Sequence, residues 1–393
     1  MDITIHPRLL RGDIDIIPSK SQAHRLLICA AFADKATQLR CPDTNRDIEA
    51  TVDCLNALGA TILRTDSGYV IDPITQIPNQ AVLNSCESGS TLRFMLPIVG
   101  GLGVDATFLM EGRLPQRPLS PLWEEMERMG CVLSRPTADT LRCRGKLKAG
   151  HYSISGSVSS QYITGLTFAL CLMDEPSTLE ITGKVESRPY INLTNNTIDL
   201  FGGGFGKEKF RSPGYVSVEG DWSNGAFFVT AAMLGSELSI RGLDNTSAQG
   251  DRAVVDILHQ MKDGTPTVSA ADIPDLVPIL AVAAAMHNGA VFTNIQRLRL
   301  KESDRVASTI AMIEGLGGKA EATEDSLTIH GTGLTGGTVD AINDHRIAMA
   351  TAIAATVCKN PVTILDAQCV SKSYPRFWEE YAWLGGKYEQ YIR

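Results

Sequence analysis

The chain lacks a long apolar run. Its longest, Leu276 to Met286, falls short of the roughly 20 residues that a membrane-spanning helix needs. It also lacks an excess of positive charge. The formal net charge is −8, from 36 Lys and Arg against 44 Asp and Glu, whereas a nucleic-acid or anionic-membrane partner calls for a basic face. A small anionic substrate stays open, because a local basic cleft fits within an acidic protein. Nine cysteines run from Cys29 to Cys369, with no C-x-x-C and no Cys/His spacing of a zinc site. They read as free, buried thiols in a reducing cytoplasm. No Walker-type phosphate loop is present, since GGGFG at Gly202 to Gly206 is not followed by Lys-Ser/Thr. No G-x-S-x-G elbow occurs. The opening segment MDITIHPRLLRGDIDI carries aspartates and no apolar centre, so it reads as neither a signal nor a transit peptide.

What is present has ordinary globular composition, 44% hydrophobic and 20% charged over 393 residues. At about 100–200 residues per domain, that length predicts two domains.

One pattern recurs six times. A polar cluster opens a helix of small apolar residues, a turn ends it, and a strand-like run follows. The clusters are Lys20-Ser21, Glu87-Ser88-Gly89-Ser90, Ser159-Ser160-Gln161, Asp221-Trp222-Ser223-Asn224, Pro274-Asp275 and Asp344-His345-Arg346. The helices they open, such as TLRFMLPIVGGLG and LVPILAVAAAMHNG, are apolar nearly all round and should be buried. Each stops at Gly, Asn or Asp. A second, more amphipathic helix follows in most copies, as in IEATVDCLNALGA and RVASTIAMIEGLGG, and runs such as TILRT, GYVID, YVSVEG and SLTIHG supply further strands. The reading is an α/β (α+β) protein built from a βαβαββ-type unit of roughly 50–70 residues, too large for a thin solenoid. Three units around each core would give two similar lobes.

The polar clusters stand at helix N-termini, which carry unpaired N–H groups and about half a positive charge, a setting that favours anions. Six such ends brought together between two lobes would form a cleft of positive potential. The side chains agree. Lys20, Ser21 and Arg25 open the first helix, Arg93 lies one turn into the second, and Arg113 and Arg117 follow its strand. Ser159, Ser160 and Gln161 open the third, and Ser187, Arg188 and Tyr190 precede INLTNN. Arg299, Lys301, Glu302 and Arg305 form RLRLKESDR, Arg346 opens the sixth helix, and Lys372 sits in SKSYP. So many cations at helix starts suit a substrate with several negative charges. Asp275, Glu302 and His345 accompany them as acid–base candidates. The bland alternatives are definite: Asp275 as an N-cap, Ser303 as the cap of RVASTIAMIEGLGG, and DHR as a capped helix start with one exposed histidine.

On PSKSQAHR, VSSQYITGL, ESRPYI, KESDR, DHRIAMA and SKSYPRFW, the chain resembles the enolpyruvyl transferase family along essentially its whole length. The resemblance implies a two-lobed inside-out α/β barrel, each lobe of three repeats around buried helices. Residues 1–18 with 221–393 would form one lobe and 19–220 the other, with crossings near Pro18–Ser19 and Gly220. It implies transfer of the carboxyvinyl group of phosphoenolpyruvate to the 5-hydroxyl of shikimate 3-phosphate. Lys20, Ser21 and Arg25 match binders of the shikimate moiety. Ser159, Ser160 and Ser187, with Lys301, match binders of shikimate 3-phosphate, and Gln161 matches a neighbour of both substrates. Lys20, Gly89, Arg113, Arg305, Arg346 and Lys372 match the phosphoenolpyruvate contacts. Asp275, which also borders shikimate 3-phosphate, and Glu302 match the acid–base pair, with Lys20, Lys372 and His345 beside them in the catalytic set. Glu302 would protonate carbon and Asp275 take the hydroxyl proton, or the two roles would be exchanged.

The resemblance further implies no metal or organic cofactor, no nucleic-acid or membrane partner, a cytoplasmic monomer, and glyphosate as inhibitor because Gly89 is retained. Closure of two lobes would exclude water. Two departures stand out. Many relatives have Asn-Ala-Gly-Thr where this chain has Glu87-Ser88-Gly89-Ser90, which leaves Glu87 in need of a partner such as Arg93. Some relatives have Asn where Arg297 stands. The nearest rival is the branch that acts on UDP-N-acetylglucosamine, with Lys-Asn at the first helix and a Gly-Cys loop before an Arg. Here the helix reads Lys20-Ser21 and the loop reads EGRLPQRP, without Cys. A non-catalytic anion binder on the same scaffold is a rival of another class, against which Lys20, Asp275, Glu302, Arg346 and Lys372 speak.

Overall fold

The computed structural model describes residues 1–205 and 210–391, so Gly206 of the GGGFG run lies outside the described residues. By internal contacts the chain divides into two compact units. Pro18–Glu219 form one, the inserted unit, and Met1–Ile17 with Gly220–Arg393 form the other, the terminal unit.

In the inserted unit three helices, Lys20–Ala31, Gly89–Leu102 and Ser160–Leu172, are buried nearly all round. The second and third each separate a pair of parallel strands, and the first precedes both strands of its pair. Tyr215–Ser217 runs beside Thr37–Arg40, Gln80–Asn84 beside Asp105–Leu109, and His151–Ser155 beside Thr178–Thr182. Antiparallel hairpins extend the first two pairs: Gly68–Asp72 with Thr61–Thr65, and Thr140–Gly145 with Cys131–Ser134. Burial alternates along these strands, as in Thr37–Arg40, so one face of each sheet covers the helices and the other meets water.

Two of the helices touch through backbone. Pro97 lies inside Gly89–Leu102 and has no N–H, so it cannot donate to the Arg93 carbonyl one turn earlier. Gly165 of the neighbouring helix comes up to that carbonyl, where an added Cβ would lie 2.2 Å from the Arg93 oxygen. A glycine is needed there for the approach itself.

The terminal unit repeats the plan. Trp222–Met233, Val277–Met286 and His345–Ala355 are its buried helices. Its parallel pairs are Arg11–Asp15 with Glu237–Arg241, Thr267–Ser269 with Ala290–Thr293, and Gly337–Asp340 with Val362–Leu365. One hairpin is Ser326–His330 with Lys319–Ala322. The other is assembled from opposite ends of the chain, Asp2–His6 lying between Val362–Leu365 and Lys387–Tyr391. Val277 and Ile279 to Ala285 are 0% exposed, which alanine permits because helices of small residues can pack closely.

Four of the six copies therefore have four strands, and the third and fourth have two each among the described residues. The reason is visible at Tyr215–Ser217. That run follows the third copy in sequence, but it pairs in parallel with Thr37–Arg40 of the first. All nine cysteines are free thiols, with Cys86 half-buried and the rest buried.

Candidate active site

The groups singled out in the sequence gather into two sets, one in each unit.

In the inserted unit three helix starts carry serine caps. Ser19, Ser88 and Ser159 accept the N–H groups of Gln22, Thr91 and Gln161. A neutral hydroxyl satisfies the backbone and leaves the positive end of the helix dipole uncancelled. Arg25, 2% exposed, is held from several sides by neutral oxygens. It donates to Thr194 Oγ1 at 2.8 Å, the Ser21 carbonyl at 2.6 Å, the Tyr190 carbonyl at 3.0 Å and Thr164 Oγ1 at 3.3 Å. Burial pulls its guanidinium down to about 10, so it remains a cation at neutral pH.

Lys20 pairs with Asp47 at 3.0 Å. Arg93 donates to Gln161 Oε1 at 2.7 Å, and Gln161 donates to Ser90 at 2.9 Å. These bonds join the starts of the second and third helices. Gly89 lies under two guanidinium groups, since an added Cβ would be 2.7 Å from Arg117 Nη1 and 2.8 Å from Arg93 Nη1. Glu87 packs against Gly112, whose own added Cβ would meet Glu87 Oε2 at 2.6 Å. Ser160 is buried, Ser21 and Ser159 are half-buried, and Arg113 is exposed on the loop that leads to Arg117. Ser187, 2% exposed, stands at the head of Arg188–Leu200 with a left-handed backbone, φ 55°.

The set in the terminal unit is built differently. Asp275 is not the cap of the helix it precedes. Leu276 holds the N-cap position and gives no side-chain cap bond. Asp275 instead accepts three cations: Arg305 Nη1 at 2.7 Å, Lys301 Nζ at 3.4 Å and Arg346 Nη2 at 3.4 Å. Arg305, 0% exposed, also donates to Glu302 at 2.5 Å and to Asp344 at 3.0 Å. Burial alone would lower the Arg305 guanidinium, but Asp344, Glu302 and Asp275 together raise it well above its ordinary value. Burial alone would raise Asp344, yet Arg305 holds its carboxyl below the usual range. Lys301 is lowered, first by burial, with Asp275 opposing. Arg297 stands close enough to Lys301 to add to that lowering.

Besides Asp275 as a cap, two further alternatives do not hold. Ser303 does not cap RVASTIAMIEGLGG. Asp304 does, accepting the Ala307 N–H at 3.1 Å, because the Ser303 hydroxyl donates to Asp344 at 2.9 Å. His345 is 3% exposed rather than exposed, since it lies in the first turn of a fully buried helix. Asp344 does cap that helix, through the Arg346 N–H at 3.0 Å. The turn before it, Ile342–Asn343, is left-handed at both residues, φ 49° and 55°, a conformation costly for a β-branched side chain. It presents the Asn343 carbonyl to Lys372 Nζ at 3.2 Å.

Asp47, Thr164, Thr194 and Asp251 were not singled out by sequence reasoning as bearing on the site, whereas Ser223 was named within the fourth polar cluster. Thr164 lies within VSSQYITGL and could have been found as the next turn of a polar helix face. The others carry no local signal, since only the fold brings them to Lys20, Arg25 and Arg346. Among the described residues no group of three or more His, Cys, Asp or Glu could hold a metal ion, and no helix is long and apolar enough to cross a membrane.

Residues 5–381 match the family model for EPSP synthase (3-phosphoshikimate 1-carboxyvinyltransferase). A 3-phosphoshikimate 1-carboxyvinyltransferase from Clostridium kluyveri is 36% identical over 99% of this chain and 98% of its own length. One from Clostridium perfringens is 37% identical over 98% of each. Among solved structures, an EPSP synthase from Acinetobacter baumannii shares the fold with a TM-score of 0.81 at 19% identity, each chain covered fully. The enolpyruvyl transferase NikO from Streptomyces tendae does so with a TM-score of 0.76 at 15% identity, over 99% of this chain and 98% of its own.

Proposed function

The chain belongs to the EPSP synthase family and is a transferase that moves the carboxyvinyl group of phosphoenolpyruvate to shikimate 3-phosphate in aromatic amino-acid biosynthesis, and we propose that the terminal unit's carboxylates Asp275 and Glu302 transfer the protons while cations of both sets bind the substrates. The observation that carries this reading is the placement of Asp275, a carboxylate contacted by Lys301, Arg305 and Arg346 at once. A base set among cations can take a proton while anionic substrates are held beside it.

Arg25, Ser21, Ser159, Ser160, Gln161 and Ser187, with Lys301 and Asp275, bind shikimate 3-phosphate. The neutral partners of Arg25 leave its charge uncompensated, and the serine-capped helix starts suit a phosphate. Lys20, Gly89, Arg113, Gln161, Arg305, Arg346 and Lys372 contact phosphoenolpyruvate, where guanidinium forks fit carboxylate and phosphate. The 5-hydroxyl of shikimate 3-phosphate adds to C2 of phosphoenolpyruvate and gives its proton to Asp275, while Glu302 delivers a proton to C3. In the elimination C3 returns a proton to Glu302, the double bond re-forms, and phosphate leaves with the C–O bonding electrons and takes up the proton held by Asp275. Lys20 and Lys372 stabilise the charge that develops, and His345, at the start of the same helix as Arg346, belongs to this catalytic set.

The same reading takes residues 1–18 with 221–393 and residues 19–220 as the two functional lobes. It takes the protein as a cytoplasmic monomer and glyphosate as an inhibitor that competes for the phosphoenolpyruvate contacts around Gly89. Phosphate release with phosphoenolpyruvate and shikimate 3-phosphate is the assay, with UDP-N-acetylglucosamine as the alternative acceptor. Glu302→Gln and Asp275→Asn should each lower kcat by about 10²–10⁴. Near-normal turnover of Glu302→Gln would remove it from the acid role, and burst deuterium incorporation at C3 that survives in Glu302→Gln but not in Asp275→Asn would exchange the two.

A further inference from the structure

A fourth acid lies beside the carboxylate cluster of the terminal unit, and the chemistry above does not use it. Asp251 sits in the short turn Gly250–Ala253 and is 2% exposed. It accepts the hydroxyl of Ser223. The same Ser223 gives its backbone carbonyl to Nη1 of Arg346 at 3.4 Å, while Nη2 of Arg346 reaches Asp275 at 3.4 Å. One residue is thus held through its side chain by Asp251 and holds Arg346 through its main chain.

The turn is itself fixed to the helix start. Gln249 accepts the Trp222 N–H at 3.0 Å and donates to the Gly220 carbonyl at 2.8 Å. The groups that act on Asp251 are Asp275 and Asp221 as like charges, Arg346 as the opposite charge, and Ser223 as donor. Burial and then Asp275 push the Asp251 carboxyl up to about 7, against Arg346 and Ser223. Near neutral pH it is therefore divided between an acid that leaves the Arg346 charge intact and an anion that offsets it.

We infer that Asp251 is a positioning residue for phosphoenolpyruvate: through Ser223 it sets where the Arg346 guanidinium lies and how much of its charge is left for an anion. The inference rests on the reading of Arg346 as a phosphoenolpyruvate contact. It places the effect in KM for phosphoenolpyruvate, because the bond from Asp251 leads through Ser223 to Arg346.

The test is KM for phosphoenolpyruvate and kcat from pH 6 to pH 9 in the full chain and in Asp251→Asn, Asp251→Ala and Arg346→Lys, with a thermal melt of each. Asparagine is a permanently neutral isostere whose carbonyl still accepts the Ser223 hydroxyl. The unaltered protein should show a rise of KM through neutral pH, and the asparagine variant should flatten it, with kcat within about threefold. Alanine should raise KM about tenfold at every pH, the loss expected when a hydrogen bond that places a charged group is removed. If Asp251→Ala does not fold, Ser223→Ala reads the same coupling and should raise KM with kcat retained. An asparagine variant that keeps the unaltered pH rise overturns the inference, as does an alanine variant with unaltered KM. Should Arg346→Lys leave KM unchanged, it is the assignment of Arg346 that fails, and the two failures are told apart.

Discussion

Arg25, in the second turn of its helix, and Arg305, the first residue of its own, are both buried guanidinium groups, and they live in opposite surroundings. Arg25 is held by hydroxyls and backbone carbonyls, and burial lowers it to about 10. Arg305 is held by Asp275, Glu302 and Asp344, and they raise it. The helix caps follow the same division. Serines close the three core helices of the inserted unit, whereas Asp221 and Asp344 close two of those in the terminal unit. A neutral cap leaves the dipole end open to an anion, and an acid cap cancels much of it. One repeated unit thus surrounds its buried cation with neutral oxygens in one half and with carboxylates in the other.

The sharpest way to break this contrast is to remove each cation in turn. Arg305→Met leaves three carboxylates without their shared partner in a buried place. It should cost about 3–5 kcal/mol in chemical denaturation. Arg25→Met removes hydrogen bonds to neutral groups and no ion pair, and should cost about 1–3 kcal/mol. The pH dependence carries the sign. Asp344 is lowered in the folded state, so its contribution is present above the unfolded carboxyl range and is lost as pH falls through the folded value. The penalty of Arg305→Met should therefore shrink in acid, while that of Arg25→Met should hold. Equal penalties with equal pH dependence would show that the partners' charge does not distinguish the two sites.

Much of this division could be read before the fold was known, and the unread part has a physical reason. The six buried helices announce themselves by apolar residues on all faces, and the cations at their starts by residue type. What local pattern does not carry is which partner a cation meets. KESDR looks like a capping segment around Ser303, yet Asp344, 41 residues further along, draws the Ser303 hydroxyl away and leaves the cap to Asp304. Asp251 lies in an unremarkable run, and its importance comes from Ser223 and Arg346, both distant in sequence. The run Tyr215–Ser217 reads correctly as a strand but completes the first copy's sheet, because strand pairing is decided by non-local neighbours.

A smaller effect separates packing from charge inside the inserted unit. Gly165→Ala would place a Cβ 2.2 Å from the Arg93 carbonyl, so the helices Gly89–Leu102 and Ser160–Leu172 must move apart. Overpacking of this kind costs about 1–3 kcal/mol, and it should also loosen the Arg93–Gln161 bond. The expected result is a lowered melting temperature together with a higher KM for both substrates. If stability falls and KM does not, the bond is dispensable to binding, and the receptor rests on Arg25 and the serine-capped ends.

The smallest expected effect tests the caps themselves. Asp221 accepts the Asn224 N–H at 2.8 Å, and serine and aspartate serve almost equally as N-caps. Asp221→Ser should then keep the helix start and change stability by less than about 0.5 kcal/mol, whereas Asp221→Ala should cost about 1 kcal/mol. The serine variant makes this helix start resemble those of the inserted unit. It also removes one of the like charges that raise Asp251, so the rise of KM for phosphoenolpyruvate with pH should move to lower pH. A shift in that direction, at unchanged stability, would mean that the acid caps of the terminal unit are there for the charge they bring, since a neutral cap would hold the helix as well.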